Sequence, residues 1–203
     1  MARHQLGLHL EPGMRVGLFG GSFDPAHAGH LHVAQTALNR LGLDRIVWLV
    51  SPGNPLKPAA SAKLARRVAG ARKLARGPRM VVSDAEARVG ARFSIDTVRA
   101  LKRRFPGVRF VWVIGADGLQ QLHRWKAWDQ LLREVPVAVI ARPGVAMRSR
   151  LAPAARRFAH ARLPARAARR LAAARPPAWV FLEAPWNEAS STALRTAARL
   201  AAH

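Results

Sequence analysis

The chain reads as an α/β protein with a Rossmann-like, doubly wound parallel sheet in three α/β/α layers. Three observations predict this. Short β-rich runs alternate with longer runs whose apolar positions recur every three to four residues. The short runs are apolar almost throughout, as in RIVWLV (45–50) and FVWVI (110–114), which suits strands covered on both faces. The residues with unusual chemistry sit just after those runs, where an open parallel sheet binds its ligands.

Met14 to Phe19 (MRVGLF) reads as the first strand. His30 to Leu41 reads as a helix, because Leu31, Ala34, Leu38 and Leu41 fall at helical spacing. Arg45 to Val50 is the second strand, and Ser61 is placed to cap a helix running through Lys63 to Leu74. Met80 to Val82 is a short strand. Ser94 is placed to cap a helix carrying Ile95, Val98 and Leu101 on one face. Phe110 to Ile114, Val137 to Ala141 and Trp179 to Leu182 read as the remaining strands, and Ser190 or Ser191 caps a last helix through Leu200. Residues 1–13 read as an N-terminal extension ahead of a single domain over 14–203.

Residues 147–177 differ from the rest of that domain. They are almost entirely Ala, Arg, Leu and Pro, with nine arginines and no acid. One or two helices broken at Pro153 and Pro164 are expected there.

Composition narrows the function classes. Half of the 203 residues are hydrophobic, so a core can be buried, and no apolar stretch approaches the length needed to span a bilayer, about 20 residues. Cysteine is absent, which removes disulfides, thiolate metal sites and a cysteine nucleophile. No apolar leader run precedes Glu11, and a cytoplasmic address is expected. The net charge of +23 attracts anions, whether nucleic acid, anionic membrane or phosphorylated small molecules. Basic residues are not interleaved with aromatic ones as in a nucleic-acid module, so no specific nucleic-acid partner is expected, and the short apolar stretches leave no membrane partner expected.

The first strand runs into Gly20-Gly21-Ser22-Phe23-Asp24-Pro25-Ala26-His27-Ala28-Gly29-His30 and then a helix. The glycines admit a ligand close to the backbone, and a helix N-terminus favours phosphate. His27 and His30, three apart, can converge on one point at the helix start. His4, His9, His32, His123, His160 and His203 have no such setting.

This loop, GGSFDPAHAGH, resembles the signature of the HxGH nucleotidyltransferase superfamily, and its longer form GxFDPxHxGH resembles nicotinate-nucleotide adenylyltransferases. Further stretches are similar to that family. Ser51 to Lys57 is a Pro-rich loop ending in one cation, with Leu56 where the family usually has His. Arg92-Phe93-Ser94-Ile95-Asp96-Thr97 is similar to a (Y/F)(T/S)xDT stretch near the pyridine nucleotide. Ile114-Gly115-Ala116-Asp117 followed by Trp125-Lys126 is similar to a ribose- and ring-binding region. Ser190-Ser191-Thr192-Ala193-Leu194-Arg195 resembles an ISSTxIR motif.

The resemblance implies adenylyl transfer from ATP to nicotinate mononucleotide, giving deamido-NAD and pyrophosphate. It implies catalytic roles for His27 and His30. ATP binding falls to Gly20, Gly21, Ser22, Phe23, His27, His30, Ser191, Thr192 and Arg195. Substrate binding falls to Lys57, Ser94, Thr97, Asp117, Trp125 and Lys126, with Asp117 on ribose hydroxyls and Trp125 stacked on the ring. Mg²⁺ is expected to come with ATP and to be held mostly by ATP and water, without a dedicated protein cage, because few acids lie in these motifs. Trp128 is expected to pack between helices, and Trp48, Trp112 and Trp179 to lie in the core. The alternatives are another acceptor within the superfamily, such as phosphopantetheine or FMN, or a basic nucleic-acid-binding protein.

Overall fold

Strand formation follows the apolar runs. A computed structural model describes residues 6–53, 62–141, 149 and 151–184, and gives strands β1 (Arg15–Gly21), β2 (Arg45–Val50), β3 (Met80–Ser83), β4 (Arg109–Gly115), β5 (Val137–Ala141), β6 (Arg162–Leu163) and β7 (Trp179–Glu183). β2 and β5 have the expected limits; β1 starts one residue later and ends two later than expected, β3 and β7 each run one residue further, and β4 is one residue longer at both ends. All pairs are parallel, in the order β3-β2-β1-β4-β5-β7-β6. The chain winds outward from β1 to β3 and then crosses to β4 on the other side of β1. The carboxyl ends of β1 and β4 therefore flank the switch point, where open parallel sheets form a ligand crevice.

Side chains along each strand alternate between two apolar cores, as the two-residue period requires. Val16 and Leu18 enter one core, while Phe19 enters the other. The first core is closed by α4 (Ser94–Arg104), α5 (Ala116–Gln121), α6 (Trp128–Glu134) and α7 (Pro153–Arg157). The second is closed by α1 (Ala28–Arg40), α2 (Leu64–Leu74) and a 3₁₀ segment, Ala165–Ala173. A short helix α3 (Ala85–Arg88) follows β3. Trp48, Trp112 and Trp179 are all buried, as expected. Leu6, Leu8 and Leu10 are buried in the first core, and the Leu6 carbonyl accepts from the Ser83 hydroxyl at 3.2 Å, so the segment ahead of β1 packs with the body of the fold. No described helix is long and apolar enough to cross a membrane.

The arginine-rich segment departs from expectation. Pro153 starts a helix as its first residue, a position where its missing N–H costs nothing. Pro164 precedes a 3₁₀ segment, and between the two lies β6, which was not foreseen. There Arg162 stacks over Trp179 and Phe181, 5.4 and 5.7 Å from the ring centroids. α7 buries Ala154 and Ala155 in the first core, whereas Ala165–Ala173 buries Ala168 and Leu171 in the second. Arg156 and Arg157 on α7 and Arg166, Arg169 and Arg170 on Ala165–Ala173 therefore sit on elements in opposite layers of the sandwich. Reversing the charge of Arg156, Arg157, Arg169 and Arg170 together is expected to weaken salt-dependent polyanion binding while kcat stays within about twofold, the scale for exposed substitutions. Lost turnover at an intact fold would place the segment in the active site.

Candidate active site

β1 ends in Gly20 and Gly21 because two rings need the space. A Cβ on Gly20 would lie 3.0 Å from the Trp112 ring, and one on Gly21 would lie 3.0 Å from the Phe23 ring. Phe23 takes a left-handed backbone (φ 48°), which folds its side chain beneath the loop. It is 1% exposed, and its ring lies 5.2 Å from Trp48 and 4.9 Å from His30. An apolar aromatic floor thus supports the histidine from below.

Helix α1 starts two residues earlier than the periodicity suggests, because the two histidines cap it. His27 is the N-cap: its Nδ1 accepts the Gly29 N–H at 3.1 Å, and its own N–H donates to His30 Nδ1 at 3.2 Å. This is a capping box built from imidazoles in place of hydroxyl and carboxylate. The ring centroids are 3.8 Å apart, so the expected convergence is found. Both Nδ1 atoms accept a backbone hydrogen, which places the proton of each neutral ring on Nε2. Two Nε2–H donors then stand at the N-terminus of a helix, at the positive end of its dipole.

On the other side of the switch point, Gly115 caps α5 and Asp117 lies exposed in its first turn. A Cβ on Gly115 would lie 2.5 Å from Asp117 Oδ1, so glycine lets the carboxylate fold back over the strand end. Trp125 is half-buried against the first core, and Lys126 is exposed. Ala127 turns the chain into α6 through a left-handed backbone (φ 50°). Trp128 packs edge-on against Phe158 at 6.0 Å, the helix-packing role expected of it.

Two residues of the α4 region are placed differently from expectation. Ser94 is the first residue of the helix and Phe93 the N-cap, with no side-chain cap. The Ser94 hydroxyl is thus not tied up as a cap, and the first amides of α4 have no partner within the helix. Thr97 is fully buried, its hydroxyl 3.3 Å from both Glu86 Oε1 and the Phe93 carbonyl. It secures the start of α4 from beneath and has no surface to offer a ligand.

Glu86 and Arg67 were not foreseen. Glu86 on α3 is 8% exposed, and burial pushes its carboxyl up to about 7, against the opposing pull of the Thr97 and Ser51 hydroxyls. Arg67 is buried on α2 beside Val68 and Ala71, and its guanidinium reaches carbonyls of the loops after β1 and β2. The sequence did hold a signal for Arg67: an arginine three residues after Leu64 and four before Ala71, on the apolar face. Glu86 had none, since a four-residue helix shows no periodicity. Lys57, Ser191, Thr192 and Arg195 lie outside the described residues, as do Ser61 and the last expected helix.

A cavity of about 530 Å³ lined by Arg15, Asp44, Arg79 and Arg169 opens at the amino edge of the sheet. It lies away from these loops, and its one carboxylate is already paired with Arg15 at 2.7 Å. The chemistry gathers instead at the carboxyl edge, around His27, His30, Ser94 and Asp117. Among the described residues no group of three His, Asp or Glu side chains is placed to hold a metal ion.

Residues 18–197 match the cytidylyltransferase-like family. The chain is 62% identical to a Caulobacter sp. protein called "Probable nicotinate-nucleotide adenylyltransferase", over 90% of this chain and 97% of that one. It is 59% identical to a Cereibacter sphaeroides protein of the same name, over 92% and 99%. The fold is shared with the Plasmodium falciparum nicotinic acid mononucleotide adenylyltransferase complexed with NaAD: TM-score 0.67 at 16% identity, covering 90% of this chain and 83% of that one. With its imidazole-capped helix at the switch point of the sheet, the chain belongs to the cytidylyltransferase-like family and, within it, to the nicotinate-nucleotide adenylyltransferases.

Proposed function

We infer that the chain transfers the adenylyl group of ATP to nicotinate mononucleotide, a step of NAD biosynthesis. An oxygen of the acceptor's 5′-phosphate attacks the α-phosphorus in line. A new P–O bond forms, the bond from the α-phosphorus to the oxygen bridging to the β-phosphate breaks, and pyrophosphate leaves as deamido-NAD forms. The acceptor phosphate is already largely ionised at neutral pH, so no general base is needed. Catalysis then rests on position and on donors aimed at the developing charge.

One observation carries this reading: the two imidazoles at the start of α1 are fixed by backbone hydrogen bonds to Nδ1, which leaves the proton of each neutral ring on Nε2. His27 and His30 serve the ATP phosphates, with backbone amides of Gly20, Gly21, Ser22 and Phe23. Ser191, Thr192 and Arg195 complete the triphosphate site, and Lys57 adds a cation for the acceptor substrate. Mg²⁺ enters as the counter-ion of ATP, held by phosphate oxygens and water. The acceptor lies between α4 and the Asp117–Lys126 stretch, its ribose on Asp117, its ring against Trp125, and its charge near Lys126. A single domain over 14–203 and a cytoplasmic address go with this reading.

The nicotinate carboxylate meets the N–H groups that begin α4 and the Ser94 hydroxyl. A neutral amide would turn its own N–H donors toward them, leaving groups unpaired. kcat/KM is therefore expected to be at least about tenfold higher for nicotinate mononucleotide than for nicotinamide mononucleotide, or roughly 1.4 kcal/mol. Initial rates of pyrophosphate release with MgATP test this. Preference for the amide would overturn the acceptor assignment. Release with FMN or phosphopantetheine in its place would move the chain to another branch of the superfamily.

A further inference from the structure

Arg67 is 4% exposed, and its guanidinium is the one buried cation among the described residues. Four hydrogen bonds leave it for described residues, each to a backbone carbonyl. Nη1 donates to Ser22 at 2.7 Å and to Ser51 at 2.7 Å, Nη2 to Pro52 at 3.4 Å, and Nε to Ala62 at 3.1 Å. Burial lowers its pKa, and the negative charge of Asp24, itself buried, pushes back. A charge kept out of water in this way needs fixed dipoles around it, and the carbonyls supply them.

The carbonyls belong to different parts of the site. Ser22 lies in the loop assigned to the ATP phosphates. Ser51 and Pro52 open the loop after β2, and the Ser51 hydroxyl meets Glu86, which in turn meets Thr97 under the acceptor side. A single nitrogen, Nη1, is shared by Ser22 and Ser51, so it fixes the distance between the two loops. Among the described residues, the ladder bond from Ser51 N–H to the Gly21 carbonyl at 2.9 Å is the other hydrogen bond between them. A guanidinium suits this task because its planar fork donates in several fixed directions, whereas an ammonium is a compact point charge.

We propose that Arg67 is a positioning residue for adenylyl transfer: it locks the phosphate loop to the loop after β2, so that acceptor and α-phosphorus meet in line. This rests on the adenylyl-transfer reading and adds to it a residue that touches neither substrate. Loosened loops still bind ATP but misplace the reactants, and a misplacement near 1 Å costs about 10²-fold in rate. The effect therefore falls on kcat more than on KM for ATP.

The experiment compares wild type, Arg67→Lys and Arg67→Gln in full steady-state kinetics with MgATP and nicotinate mononucleotide, with thermal unfolding alongside. For Arg67→Gln, kcat is expected to fall about 10²-fold while KM for ATP stays within about threefold. Arg67→Lys keeps the charge without the fork and is expected to recover less than about tenfold of that loss. A folded Arg67→Gln with kcat near wild type overturns the proposal. Should that variant not fold, Arg67→Lys decides: a kcat near wild type overturns the proposal, and a loss of tenfold or more at unchanged KM for ATP supports it. If neither variant folds, Arg67 serves the fold as a whole and the proposal also falls. A wild-type protein inactive on this pair would sink the adenylyl-transfer reading, which is a separate result.

Discussion

Replacing His30 with alanine is expected to lower kcat by roughly 10²–10³, the range for removing one preorganised donor to transition-state charge. The imidazole is held from three sides. Its Nδ1 accepts the His27 N–H at 3.2 Å, its ring lies 3.8 Å from that of His27, and the Phe23 ring meets it edge-on at 4.9 Å. Its donor is therefore fixed before ATP arrives, and no reorganisation is needed as charge develops. The substitution also removes half of the capping box, at a cost of about 1 kcal/mol in stability. Thermal unfolding separates this loss from the kinetic one. KM for ATP should change far less than kcat, since the donor acts mainly on charge that appears during transfer. A variant that folds and turns over near the wild-type rate would show that His30 has no catalytic task. Because the two rings hold each other, the His27→Ala/His30→Ala pair should lose much less than the sum of the singles.

Replacing Glu86 with glutamine is expected to stabilise the protein above pH 8 by on the order of 3 kcal/mol while changing little at pH 5. The sign follows from burial. The carboxyl sits at about 7 in the fold against 4.5 when free, because burial penalises the charged form. The folded state thus holds a proton that the unfolded chain has already released. The stability this gives is fully present below the free value and is lost as pH rises through about 7. Glutamine has nearly the same shape and cannot ionise, so it escapes the loss. Urea unfolding of both proteins at pH 5 and pH 8.5 measures it, and other titrating groups cancel in the difference. An equal difference at both pH values would mean that the carboxyl is not strained by ionisation in the fold. The two hydroxyls beside it add a consequence. Ser51 also donates to the Gly53 carbonyl, and the Thr97 hydroxyl lies 3.3 Å from the Phe93 carbonyl oxygen. Each hydroxyl has one proton, so an ionised Glu86 competes with those carbonyls for it.

Much of the fold was legible because local pattern and burial agree. RIVWLV and VAVIA became β2 and β5 at the expected limits, since a run that is apolar on both faces suits little except a covered strand. The loop FDPAHAGH announced paired histidines at a helix start, and the rings do meet there. Elsewhere the local signal was weak or pointed the wrong way. β6 is two residues long, inside a segment that reads as helix, and pairing with β7 alone makes it a strand. Ser94 has the type of an N-cap but lies one residue inside the helix, a distinction that propensity does not resolve.

The sequence by itself determined the class of fold, the edge of the sheet where the motif residues gather, and the two histidines at its switch point. These follow from periodicity and from loop chemistry confined to a few neighbouring residues. Tertiary structure alone decided what lies beneath that edge. Arg67 draws its acceptors from Ser22 and Ser51, residues 45 and 16 positions away. Glu86 owes its raised pKa to being enclosed beside Ser51 and Thr97. Arg156 and Arg157 separate from Arg169 and Arg170 because α7 and Ala165–Ala173 pack on opposite layers of the sheet. Burial and hydrogen-bond partnership are properties of neighbours in space. They arise only when distant segments close over one another, and no window along the chain contains them.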